Sequence, residues 1–150
     1  MNITENRMIR HRNVASKRYS FVPAEIGLAF EDFRAILQTY GANVDGRLFF
    51  TMLNEPIAEV MTAELHMGIK EDNLTIPAEE EVIFRSYFEV KGLSKIRLRD
   101  DFDEQSQVAY WALYDHVKKG SLQQKTPVFV EYKQAPDGST YVEMSVGVSG

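Results

Sequence analysis

Two stretches of the chain carry apolar residues at helical spacing. Ile26, Phe30, Phe33, Leu37 and Tyr40 recur at intervals of four, three, four and three, which makes one apolar stripe. Pro23 stands where a first helical turn would begin, and Gly41 where a left-handed cap would end the helix. The second stretch runs from about Asp101 to Lys119, with Phe102, Ala109, Leu113 and Val117 on one stripe. Asp101 and Glu104 have the spacing of a capping box, and Lys118, Lys119 and Gly120 mark the end.

Elsewhere the period is two, the period of strands. Arg47–Leu53 and Glu59–Ile69 follow the first helix, joined through Asn54, Glu55 and Pro56. Pro127–Lys133 and Thr140–Val148 follow the second, joined through the turn residues Pro136, Asp137 and Gly138. Further strands are expected before each helix, at about Asn13–Phe21 and Val82–Val90. The order strand–helix–strand–strand therefore occurs twice, at an offset near 80 that pairs Gly41 with Gly120, Phe49 with Phe129, Glu64 with Glu143 and Gly68 with Gly147. The expected fold is α+β, one domain over 1–150 with a joint core. The first repeat takes 13–69, a linker 70–81, and the second repeat 82–148.

Alternation divides each strand into two faces. Met61, Ala63, Leu65, Met67 and Ile69 form one apolar face, and Val142, Met144, Val146 and Val148 another, to be covered by the two helices. The opposite faces carry Glu64 and His66, Tyr141 and Glu143, Phe129 and Glu131, and Tyr87. A surface combining Glu64, His66, Glu131, Glu143, Tyr87 and Tyr141, with Phe49 and Phe129 as an apolar floor, would suit a cationic or amphipathic small molecule.

Charge narrows the partners. Residues 1–18 hold five of the 17 Lys and Arg against one acid, and the remainder holds 12 basic and 21 acidic residues. So acidic a body argues against nucleic-acid binding. Residues 1–12 read as a flexible basic tail. The absence of cysteine removes disulfides and thiolate sites. The histidines, His11, His66 and His116, have no metal-ligand spacing, so neither a metal nor a cofactor is expected. No apolar run is long enough for a membrane span, and no secretory leader is evident, which makes a cytoplasmic location the default. No catalytic motif is present, and no catalytic residue is assigned. The oligomeric state is open, with Tyr110, Trp111 and Tyr114 a plausible partner surface.

The doubled unit, the helix AYWALYDHVKKG and the following PVFVEYKQAPDGSTYVEMSVGV resemble the GyrI-like (gyrase-inhibitor-like) effector-binding domains. The resemblance implies two units in a pseudo-twofold arrangement with a ligand groove between them, and Glu131 as the acid facing the ligand. KGLSKIRLRDDFDEQ replaces the Gly-Pro-aromatic step common in that family, so the likeness does not extend to the pocket rim or fix the ligand class. The chain also resembles a group of uncharacterised Bacillus-type proteins of similar length. The leading expectation is a stand-alone ligand-binding or sensing module. The alternatives are a protein-interaction or toxin-system accessory module, and a hydrolase built on Glu131 with Glu64 or Glu143 and a tyrosine.

Overall fold

The computed structural model describes residues 2–55 and 58–150. Pro56, expected in the first hairpin turn, lies outside them. Among the described residues there are six strands and two α-helices. Their order is β1 (Ile3–Phe21), α1 (Ile26–Thr39), β2 (Val44–Met52), β3 (Met61–Ile69), β4 (Ile83–Leu98), α2 (Phe102–Lys119), β5 (Gln123–Gln134) and β6 (Thr140–Ser149). The class is α+β. The chain forms two compact units, one of Arg10–Glu89 and the other of Met1–Ile9 with Val90–Gly150. Strands β1 and β4 each contribute to both.

Both units use the same ladder. In the first, β3 pairs antiparallel with β1 and with β2. In the second, β6 pairs antiparallel with β4 and with β5. They also share an irregularity. The β2–β3 register shifts between Val44 and Leu48, so residues 45–47 stand against Gly68. The β5–β6 register shifts between Gln124 and Val128, so residues 125–127 stand against Gly147. At each place the bulged strand crowds the glycine: a β-carbon on Gly68 would collide with the Arg47 and Asp45 side chains, and one on Gly147 would lie 2.7 Å from Thr126 Cγ2.

The helices follow their stripes. In α1, Phe33 and Leu37 are fully buried, Phe33 meets the Tyr19 ring at 6.2 Å, and Gly41 beyond the helix has φ +84°. In α2, Ala109 and Leu113 are buried and the helix packs on β5 and β6. The expected capping box does not form. Asp101 sits in the left-handed region at φ +47° and its side chain caps nothing, so the first amides of α2 lack that partner.

Two expectations are corrected. Residues 3–12, read as a flexible tail, belong to β1, and Ile9 there is buried. Strand pairing uses backbone groups, which a polar sequence supplies as well as an apolar one, so hydropathy did not register it. Strand β4 also runs eight residues beyond Val90, to Leu98, and draws Lys95 into the interior.

Candidate functional site

Much of the face opposite the apolar one is buried in each unit. In the Arg10–Glu89 unit, His66 is 0% exposed. Its ring lies between Ser16 Oγ, 2.6 Å from Nδ1, and Thr51 Oγ1, 2.8 Å from Nε2. Phe49 stacks on His66 at 4.5 Å and on His11 at 4.6 Å, and Phe88 meets both Phe49 and His66 at 5.0 Å. Burial, with help from the nearby Arg85 and His11, holds His66 down to a pKa of about 3, so it is neutral at ordinary pH. Glu64 lies 3.7 Å from His66 and 3.3 Å from Arg85. Serine, histidine and an acid thus meet, but Ser16 is fully buried. Tyr87 stands apart, 50% exposed, and donates a 2.6 Å hydrogen bond to Glu89. The structure therefore gathers Phe49, Glu64 and His66 and leaves Tyr87 outside that cluster.

In the Val90–Gly150 unit, Glu131 on β5 is directly opposite Glu143 on β6, and Arg97 on β4 is opposite Glu143. Both carboxylates are buried. Like charges facing each other in a ladder repel, so this row needs cations. Lys95, itself 4% exposed, lies 3.2 Å from Glu131 and 3.5 Å from Glu143. Lys133 lies 2.7 Å from Glu143 and 3.7 Å from Glu131, and Arg97 lies 3.1 Å from Glu143. Burial pushes the Glu143 carboxyl up, but the Lys133 hydrogen bond and the charges around it prevail and hold it below its usual value. Lys133 is likewise held above its usual value: burial opposes the charge, and the bond to Glu143 together with the charges of Glu131 and Glu143 outweighs it.

The carboxylates expected to be free for a cation are thus already paired within the protein. A general acid needs a carboxyl raised towards neutrality, and Glu143 is shifted the other way. Tyr141, opposite Lys133 in the ladder, carries the Arg97 guanidinium over its ring at 4.5 Å. Phe129 is buried opposite Ser145. A pocket of about 590 Å³ opens beside this row, with Thr4, Arg7, Lys95, Arg97, Arg99 and Glu143 in its wall. Sequence reasoning missed Lys95 and Arg97. The signal was present: they alternate in Lys95-Ile96-Arg97-Leu98, strand spacing that continues from Val90.

Among the described residues no three histidine, aspartate or glutamate side chains are grouped to hold a metal ion, and no helix is long and apolar enough to cross a membrane.

A family profile described as "Domain of unknown function (DUF5085)" matches residues 10–149. The chain belongs to this family. No curated protein matches by sequence. Solved structures match the DUF5085 chain by fold. The EcmrR C-terminal domain aligns with a TM-score of 0.66 and 10% identity, over 99% of this chain and 99% of that one. A chain in an EcmrR–DNA complex (EcmrR-RPo) aligns with a TM-score of 0.73 and 13% identity, over 98% of this chain. The DUF5085 chain spans 57% of that longer chain. At these identities the likeness is one of fold.

Proposed function

We propose that this chain is a small-molecule-binding module whose ligand enters the pocket of the Val90–Gly150 unit. The observation that carries the reading is the pairing of that pocket with a buried, ion-paired row, Lys95 with Glu131 and Glu143. A cavity of about 590 Å³ has the size that small ligands use, and polar groups fixed by their own ion pairs can orient one without rearranging. In this reading Glu143 and Arg97 touch the ligand, Glu131 holds Lys95, and Tyr141 and Phe129 support the row. Phe49 and His66, closed in by their own ring stack, hold the other unit together. The GyrI-like resemblance supports the reading, as does the fold shared with the EcmrR C-terminal domain. The repeated ladder and the repeated bulge against Gly68 and Gly147 support descent of the two units from one strand–helix–strand–strand unit. The module acts in the cytoplasm, and a regulatory output would pass through a partner.

The test is native mass spectrometry of the chain purified from its host, followed by melting of wild type and Arg97→Gln with whatever is retained. The reading expects a bound small molecule that raises the wild-type melting temperature and stabilises Arg97→Gln less. A chain that arrives empty and is stabilised by no member of a broad metabolite library would sink it.

One observation favours a second reading, a protein-interaction module. Val108, Trp111 and Tyr114 are all exposed on α2, and Trp111 packs edge-on against Tyr114 at 5.6 Å. Co-purification of a stoichiometric protein, lost with Trp111→Ser, would move this reading ahead.

A further inference from the structure

The pocket of the Val90–Gly150 unit is basic, although the chain is acidic. Arg7, Lys95, Arg97 and Arg99 line it, against Asp100 and Glu143. The chain carries a net charge of −5, but this unit holds nine basic and nine acidic residues. The imbalance lies entirely in Arg10–Glu89, with eight basic and thirteen acidic. The cations of the pocket are therefore a local concentration.

The acids do not cancel them. Glu143 is shared by Lys133, Arg97 and Lys95 at 2.7, 3.1 and 3.5 Å. Lys95 is fixed from below by Glu131 at 3.2 Å. Arg97 and Arg99 lie over the Tyr141 ring at 4.5 and 5.9 Å, which leaves guanidinium edges able to donate to an incoming group. Helix α2 starts between two residues of the pocket wall, Asp100 and Gln105, and its start has no side-chain cap. Uncapped amides at the positive end of an 18-residue helix favour a negative group as well. Leu98 gives the pocket wall an apolar element, and the Arg97 guanidinium, held over the Tyr141 ring, gives it a flat one.

We propose that this pocket binds an organic anion, a carboxylate or sulfonate on a flat, partly apolar body. The proposal rests on the ligand-binding reading above and reverses the charge that the carboxylates alone suggest. Arg7 and Arg99 meet the anionic head, Arg97, braced by Tyr141, meets the flat body, and Lys95 is a prepositioned charge that its glutamates keep in place. Guanidinium groups suit such heads because they donate two parallel hydrogen bonds to one carboxylate.

The experiment titrates the full chain with four probes of one shape: naphthalene sulfonate, naphthoate, the neutral naphthalenemethanol and the cationic naphthylmethylammonium. Amide chemical shifts report where each binds. Both anions are expected to bind and to perturb residues 95–100 and Gln105, with affinity falling as salt is added. The paired substitution Arg7→Gln and Arg99→Gln should weaken the anions by about tenfold or more, the scale of one lost charge-assisted hydrogen bond. Both arginines are exposed, so melts of the variant should match wild type. Tighter binding of the cation at the same amides would overturn the anion proposal and leave the ligand-binding reading intact. Anion binding unchanged by the paired substitution would overturn it in the same way. If none of the probes binds at millimolar concentration, the anion proposal falls, and the molecule retained from the host decides the broader reading separately.

Discussion

Glu131 and Glu143 face each other directly across the β5–β6 ladder, and Lys95 from β4 lies within 3.5 Å of both. The two carboxylates can share a buried row only because cations stand among them. Lys95→Met should therefore destabilise the fold by about 3 to 5 kcal/mol, the cost of stranding buried charge. Adding Glu131→Gln removes one stranded carboxylate and should recover a substantial part of that loss. Urea unfolding of the two single variants and the double variant completes the cycle. Additive effects would mean that Lys95 and Glu131 do not act as a pair.

Acid should weaken the fold through His66. Its folded pKa is about 3, against an ordinary 6.5. Below the ordinary value the unfolded chain binds a proton that the folded chain refuses, so stability falls as pH falls through this window. The depressed Glu143 acts in the same direction at lower pH, where the folded carboxylate is finally protonated. Between about pH 7 and about pH 4.5 the His66 contribution should amount to roughly 2 to 3 kcal/mol. His66→Gln lowers stability at neutral pH by breaking the ring stack, but it should flatten this slope. A slope unchanged in the variant would assign the acid sensitivity elsewhere.

The legible parts of the fold were those written in side-chain periodicity. The stripes of α1 and α2 and the alternation of β3 and β6 stand close to where the apolar pattern puts them, and the turn at Gly138 stands where its turn residues put it. Parity also placed Glu131 and Glu143 on one face. It did not show whether that face was wet. Glu, His and Lys read as solvent-facing because burying them alone is costly. The cost is met by partners distant in sequence: Lys95 is 36 residues from Glu131, and Ser16 is 50 from His66. The N-terminal half of β1 was hidden for another reason, since its pairing is backbone work and Ile9 is its one buried apolar side chain.

That half-strand is open to direct test. Ile9 is 1% exposed in a segment, residues 3–12, that is mostly polar and charged. Ile9→Ala should cost about 2 to 5 kcal/mol, as large-to-small changes in a packed interior do. Its exposed neighbour Met8 should tolerate alanine within about 0.5 kcal/mol. Chemical unfolding of both variants makes the comparison, and equal small effects would mean that residues 3–9 do not belong to the folded core.

The two strand glycines give an asymmetric prediction from symmetric positions. Gly68 and Gly147 each face the bulge of the neighbouring strand. At Gly68 an added β-carbon meets the ends of the Arg47 and Asp45 side chains, which can swing aside and keep their own pair. At Gly147 it meets Thr126 at Cγ2 and Oγ1, 2.7 and 2.9 Å away, and Thr126 Oγ1 also accepts the Gly147 N–H at 2.8 Å. A threonine side chain is short and stiff, so it can give way only by moving its backbone. Gly147→Ala should therefore cost about 1 to 3 kcal/mol, as overpacking does, while Gly68→Ala should cost well under about 1 kcal/mol. Thr126→Ser combined with Gly147→Ala removes the Cγ2 clash, keeps the hydroxyl acceptor, and should restore part of the loss. Urea titrations of the three variants decide the matter. Equal costs at Gly68 and Gly147 would show that the bulges, and not the side chains that fill them, demand glycine.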